Sequence, residues 1–109
     1  MATKNIQLIV TSVPDMEFAR KIAYSLVSEL SLAACVNIIS KVQSIYRWKN
    51  EIVNDSEYML CIKAPKENEK EIYGAIKKLH CYDLPEIISV PITKASDEYI
   101  NWIRDSCTV

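Results

Sequence analysis

Ala34-Cys-Val-Asn-Ile-Ile-Ser-Lys-Val-Gln-Ser-Ile-Tyr-Arg-Trp48 is the stretch that decides the fold. It is rich in β-branched and aromatic residues, which favour a pleated backbone over a helix. Its length predicts one bent strand or two short ones. Lys49-Asn50-Glu51 is polar and reads as a turn, and Ser56 to Ala64 returns as a strand in which Tyr58, Leu60 and Ile62 alternate with their neighbours. The two runs make a long β-hairpin.

Upstream, Ile6 to Ser12 is an apolar, β-branched strand. Asp15 is placed to cap a helix over Met16 to Leu30. There Phe18, Ile22, Leu26 and Leu30 recur every four residues, flanked by Ala19, Ala23 and Val27, while Lys21 and Ser25 take the wet faces. Downstream, Pro65 ends the hairpin. Lys66 to Leu79 reads as a second helix with Ile72, Ile76 and Leu79 inward, Ile87 to Ile92 as a fourth strand, and the segment from Ser96 or Asp97 to Asp105 as a last helix. Its apolar side is Tyr99, Trp102 and Ile103. The order β-α-β-β-α-β plus a helix predicts an α+β, ferredoxin-like βαββαβ fold with an antiparallel sheet and a C-terminal helix. Residues 1–109 form a single domain in this reading.

Two helices cover one face of such a sheet, and the other should turn polar. Here both faces are apolar. Ile6, Leu8 and Val10 back onto Ile9; Tyr58, Leu60 and Ile62 onto Met59 and Cys61; Ile88 and Val90 onto Ile87. The terminal helix or another subunit must cover the second face, and an oligomer is the expectation.

Composition narrows the function. Half of the residues are apolar and the net charge is −1, with no basic stripe of the kind nucleic-acid binding needs. No apolar run approaches the ~18 residues of a membrane span. The start, Met-Ala-Thr-Lys-Asn, lacks the apolar region of a secretion signal, and the four cysteines contain no Cys-x-x-Cys pair. Reduced thiols and a cytoplasmic location are expected. One glycine, Gly74, rules out Gly-rich phosphate loops. One histidine, His80, rules out a multi-histidine zinc site within a chain.

Thr11-Ser-Val-Pro-Asp15, Leu32-Ala-Ala-Cys-Val-Asn37, Ser44-Ile-Tyr-Arg-Trp48, Asp55-Ser-Glu57, Leu79-His-x-Tyr-x-Leu-Pro-Glu-Ile87 and Tyr99-Ile-Asn-Trp102 occur in that order. Together they resemble the CutA-type divalent-cation tolerance proteins, from about Ile6 to Arg104. The resemblance implies a PII-like homotrimer in which the hairpin reaches across to a neighbour. It implies copper, or another divalent metal ion, as the bound species in a role of metal-ion tolerance and homeostasis. No catalysed reaction is established for the family, and animal relatives are linked to membrane anchoring of acetylcholinesterase. The alternative is a PII-like signalling or assembly module that takes a small molecule or protein in its inter-subunit clefts. The chain departs from the family where most members have Pro after the His; here Cys81 stands. Some members carry metal-binding side chains at the positions of Thr11 and Leu79, so His80 alone survives of that set.

His80 and Cys81 are therefore the metal candidates, imidazole and thiolate suiting copper or zinc. They are too few for a closed four-ligand site, so other chains, water or carboxylates must complete it. Tyr46, Trp48, Lys63, Tyr82, Glu86 and Trp102 are candidates for an inter-subunit pocket, with a Lys63–Glu86 pair inside it. Asp55 and Glu57 are expected on opposite faces of their strand, solvated or ion-paired rather than an acid–base couple. Cys35 and Cys61 read as packed in strands, and Cys107 as exposed in the tail. A Cys81–His80 dyad is geometrically awkward and lacks an orienting third group, so no enzyme activity is expected.

Overall fold

In a computed structural model that describes residues 5–108, strand β1 (Ile6–Val13) is the hub of the sheet. It pairs antiparallel with β3 (Glu51–Pro65) on one side and β4 (Ile87–Ile92) on the other. β2 (Cys35–Trp48) completes the antiparallel order β2-β3-β1-β4. Helices α1 (Met16–Tyr24) and α2 (Glu69–Leu79) contribute Ala19, Ile22, Ile72 and Ile76 to a core with Ile9, Val13, Leu60 and Ile62. Each of the large side chains among these, once buried, contributes about 1.5–3 kcal/mol. With the C-terminal helix α3 (Asp97–Asp105), the molecule is the α+β βαββαβ fold expected from the element order.

The hairpin is tighter and longer than its composition suggests. Trp48 pairs with Glu51, so only Lys49 and Asn50 turn, with φ of 50° and 66°. Positive φ at both central residues matches the right-handed twist of the flanking strands. β3 therefore starts at Glu51 and not at Ser56. The polar residues between are held by cross-strand partners: Gln43 Nε2 donates to Asn54 Oδ1 at 3.0 Å, and Tyr46 Oη to Asp55 Oδ2 at 2.6 Å. β1 reaches only as far as Tyr58 of β3. The rest, Val42–Trp48 against Glu51–Glu57, is a two-stranded arm that leaves the sheet. Its bend comes from a register shift between Ile39 and Val42, with Lys41 at φ 59°.

Asp15 caps α1, its Oδ1 accepting from Phe18 N at 2.9 Å. The regular helix then gives way to a π-helical turn over Ser25–Glu29, closed by Leu30 N to Ser25 O at 2.9 Å. The wider turn rotates the residues beyond Tyr24 about the helix axis. Leu26 stays fully buried, Ser25 is drawn inside, and Val27 and Leu30 are left exposed, against the regular stripe. A short 3₁₀ turn, Lys66–Asn68, leads into α2. Asn68 is buried and fastens two segments, its Nδ2 donating to the carbonyls of Leu32 (3.0 Å) and Thr108 (2.8 Å).

Ser96 caps α3 through Tyr99 N. The helix lies on the second sheet face, where Ile103 packs with Ile6 and Ala34, and Ile92, Ile100 and Cys107 close around them. Two expectations change here. Cys107 is half-buried in this cluster rather than exposed. Tyr99 and Trp102 stack on each other at 5.5 Å on the outside of the helix, Trp102 46% exposed, instead of facing inward. Arg104 anchors the helix with a bidentate pair to Glu67 (3.0 and 2.7 Å) and a bond to the Asn5 carbonyl (3.1 Å). α3 covers one end of the second face. Beyond it Leu8, Val10, Met59 and Cys61 are half-buried, and Ile39, Ile88 and Val90 are exposed. Among the described residues no helix is long and apolar enough to cross a membrane.

Candidate functional site

α2 ends at Leu79, and His80 leaves it with extended backbone (φ −78°, ψ 150°), its N–H still bonded to Ile76 O at 2.8 Å. The ring turns back onto the start of the fold. Nε2 lies 2.8 Å from the Ser12 carbonyl, an atom that can only accept. Nε2 therefore carries the proton. Nδ1 takes the Tyr82 N–H at 3.1 Å, so the partners assign the neutral tautomer. A metal-binding histidine commonly donates its other ring N–H to a backbone carbonyl, which orients the ligating nitrogen. Nδ1 is thus the nitrogen of His80 suited to a metal, provided that the Tyr82 N–H gives way. The same pair of bonds leaves His80 without a free base nitrogen to activate the Cys81 thiol.

The segment after His80 is stitched to the open sheet face by two further bonds. Tyr82 Oη donates to Glu57 Oε2 at 2.8 Å, and its ring lies 4.9 Å from that of His80. Ser12 Oγ donates to Glu86 Oε1 at 3.1 Å. Burial, and then the Glu57 carboxylate, push the Tyr82 hydroxyl well above the ordinary tyrosine range, so it remains a donor. The Tyr46 hydroxyl is raised as well, first by its bond to Asp55.

Between this segment and the arm runs a groove of about 830 Å³. The arm supplies Ser44, Ile45, Tyr46, Arg47 and Trp48. The sheet supplies Ser12 and Glu57, and the other wall is Cys81 to Glu86. Four of the six pocket candidates, Tyr46, Trp48, Tyr82 and Glu86, meet here, and exposed Cys81 joins them. Lys63 and Trp102 do not. They lie at the α3 end of the same face, where Lys63 Nζ donates to Asn37 Oδ1 at 2.7 Å and sits 6.0 Å from the Tyr99 ring. The anticipated Lys63–Glu86 pair is replaced by these separate partners, because β1 and β3 place the two residues at opposite ends of the sheet. Thr11 faces the helices, fully buried and away from the groove.

Glu57 is the residue the sequence reading undervalued. Two positions from Asp55, it shares that residue's face, as the period of a strand requires and contrary to the expectation of opposite faces. It is only 5% exposed. The available signal was a carboxylate directly before the apolar run Tyr58-Met59-Leu60-Cys61-Ile62. Among the described residues no three His, Cys, Asp or Glu side chains converge as a metal cage.

Comparison with known proteins gives a consistent answer. The family model "CutA1 divalent ion tolerance protein" matches residues 7–106. A divalent-cation tolerance protein CutA from Thermus thermophilus is 41% identical over 100 residues, which is 92% of this chain and 96% of that protein. The solved structure of a Cut A1 protein from the same organism superposes with a TM-score of 0.90 at 40% identity, covering 94% and 99% of the two chains. A chloroplastic CutA from Arabidopsis thaliana is 38% identical over 91% of this chain, which spans about half (54%) of that relative. A PII-like CutA from Nostoc, solved in apo form, gives a TM-score of 0.86 at 31% identity, covering 94% and 97%.

Proposed function

From the premise that this chain belongs to the CutA1 divalent ion tolerance family, we propose that it is a homotrimeric, non-enzymatic binding protein of metal-ion tolerance, with copper taken up at His80 and Cys81. The observation that carries the metal reading is the orientation of His80. Its Nε2–H is fixed on the Ser12 carbonyl, so Nδ1, which now accepts the Tyr82 N–H, is the nitrogen a metal would take, in the residue next in sequence to exposed Cys81. Imidazole and thiolate select copper over magnesium, which prefers oxygen. Three chains meeting, or water and carboxylate, complete the coordination. The trimer reading rests on the half-covered second sheet face and on the arm that leaves the sheet. Four free thiols, one of them exposed, favour a reducing compartment, and the proposal places the protein in the cytoplasm.

Copper titration monitored by calorimetry tests the assignment. The parent is expected to bind saturably, more weakly as acid protonates the ligands. His80→Ala abolishes that binding at unchanged oligomeric mass, and Cys81→Pro, the residue usual in the family, weakens it less. Equal binding by His80→Ala rejects the site. A second reading, a ligand-binding module working through its inter-subunit clefts, is favoured by the groove itself, whose volume falls in the range of small-molecule sites.

A further inference from the structure

We propose that the groove under the hairpin arm binds an aliphatic polyamine, with one ammonium group seated on Glu57. The inference rests on the reading of the groove as a ligand site, and names the ligand's chemistry.

Glu57 carries the argument. A carboxylate this deeply buried is rarely left without a positive partner, because desolvating it is costly. Yet its bonded partner in the structure is a neutral one, the Tyr82 hydroxyl on Oε2. The one ion pair among the described residues, Arg104–Glu67, joins α3 to the 3₁₀ turn before α2, away from the groove. A carboxylate offers about four acceptor positions, so Glu57 keeps capacity for N–H donors facing the groove it lines. Glu86, bonded to the Ser12 hydroxyl, and Asp83 add two further carboxylates from the facing Cys81–Glu86 wall. Against three acids the lining sets one base, Arg47. The groove therefore favours a cation.

The walls decide which kind. Tyr46, Trp48 and Tyr82 line the groove with aromatic rings, and Ile45, Leu84 and Pro85 add apolar surface. Aromatic faces attract ammonium groups, and most strongly where water is excluded. A hard divalent ion needs six or more oxygens at close range, and among the described residues no three His, Cys, Asp or Glu side chains converge to supply them. About 830 Å³ also exceeds what a bare ion fills. Carboxylates on two sides of one groove suit charges separated along a methylene chain. One ammonium takes Glu57 beside Tyr82, the chain runs along the groove floor, and a second ammonium reaches Glu86 or Asp83.

Spermidine is the probe, titrated into the full-length protein by calorimetry at low and high salt. Triethylene glycol serves as a neutral molecule of similar length and magnesium chloride as a hard cation. Spermidine is expected to bind saturably and more weakly at high salt, with neither control matching it. Glu57→Gln, which keeps an acceptor for Tyr82, is expected to lower the affinity at least tenfold, and Glu86→Gln several-fold. Should Glu57→Gln fail to assemble, Glu86→Gln and the salt dependence decide. Absence of spermidine binding, equal binding of triethylene glycol, or unchanged affinity in the variants that assemble overturns the inference. Copper titrated in parallel separates the two claims. Copper binding that depends on His80, without spermidine binding, overturns the polyamine and leaves the metal assignment standing. Spermidine binding that survives His80→Ala supports the groove whatever the copper result.

Discussion

Cys81 and Cys107 are both thiols in irregular backbone, and their surroundings give them opposite chemistry. Cys81 stands exposed at the groove wall. Cys107 is packed beside Ile103 and Ala34, and burial pushes its thiol above the ordinary range despite the opposing pull of Arg104. The thiolate is the form that attacks an alkylating reagent. At neutral pH iodoacetamide is therefore expected to label Cys81 first, while labelling of Cys107 accelerates only at a pH above that of an ordinary thiol. A peptide-mass time course checks this, and earlier labelling of Cys107 would contradict its packing. The same two residues show what is legible at this scale. Position at the end of a periodic helix located His80 and Cys81. The burial of Cys107 depends on α3 folding back onto β1, and that of Glu57 on the Tyr82 segment closing over β3. Those contacts join residues 25 or more positions apart, which local pattern does not encode.

Helix α1 and its π-helical turn allow a sharper test of element phase. Leu26 is fully buried, Lys21 exposed, and Leu30 45% exposed. Leu26→Ala is expected to cost about 2–5 kcal/mol, since it leaves a cavity in a packed core. Lys21→Ala should stay within about 0.5 kcal/mol. Leu30→Ala should resemble Lys21→Ala, although a regular helix would set Leu30 on the same stripe as Leu26. Urea midpoints of the three variants decide the matter, and a Leu30→Ala loss as large as that of Leu26→Ala excludes the wider turn. Element order, the Asp15 and Ser96 caps and the bounds of β4 were all readable, because capping chemistry and β-branched runs act locally. The early start of β3 was not. Asn54, Asp55 and Ser56 have low strand propensity, and they are held extended by cross-strand partners on β2. The rotation after Tyr24 was hidden for a similar reason. Ser-Leu-Val-Ser-Glu carries no local mark of a π-helical turn, and burial of Leu26 and Leu32 overrides the regular stripe.

At the scale of the whole molecule, the sheet has one finished face and one unfinished face. The finished one packs under α1 and α2. On the other, α3 shields only the end around Ile6, while Ile88 is 50% and Val90 48% exposed, with Ile39 beside the arm. The arm carries Ile45 and Ile52 in the open as well, at 70% and 63%. A chain of 109 residues that leaves this much apolar surface in water forgoes stabilisation of about 25 cal/mol for each Å² left uncovered. Association of copies through this face, as proposed, would recover it and would set each groove beside a neighbouring subunit. Native mass spectrometry of the parent is then expected to give three times the 12.5 kDa chain mass. Val90→Glu tests the face directly. Position 90 pairs with Leu8 in the β1–β4 ladder and points away from the helical core. A carboxylate there is harmless in a solvated monomer and expensive in a closed interface. The expected result is a monomer with the parent's circular dichroism spectrum. A trimer that tolerates Val90→Glu would move the interface elsewhere, and a parent of monomer mass would end the trimer proposal altogether.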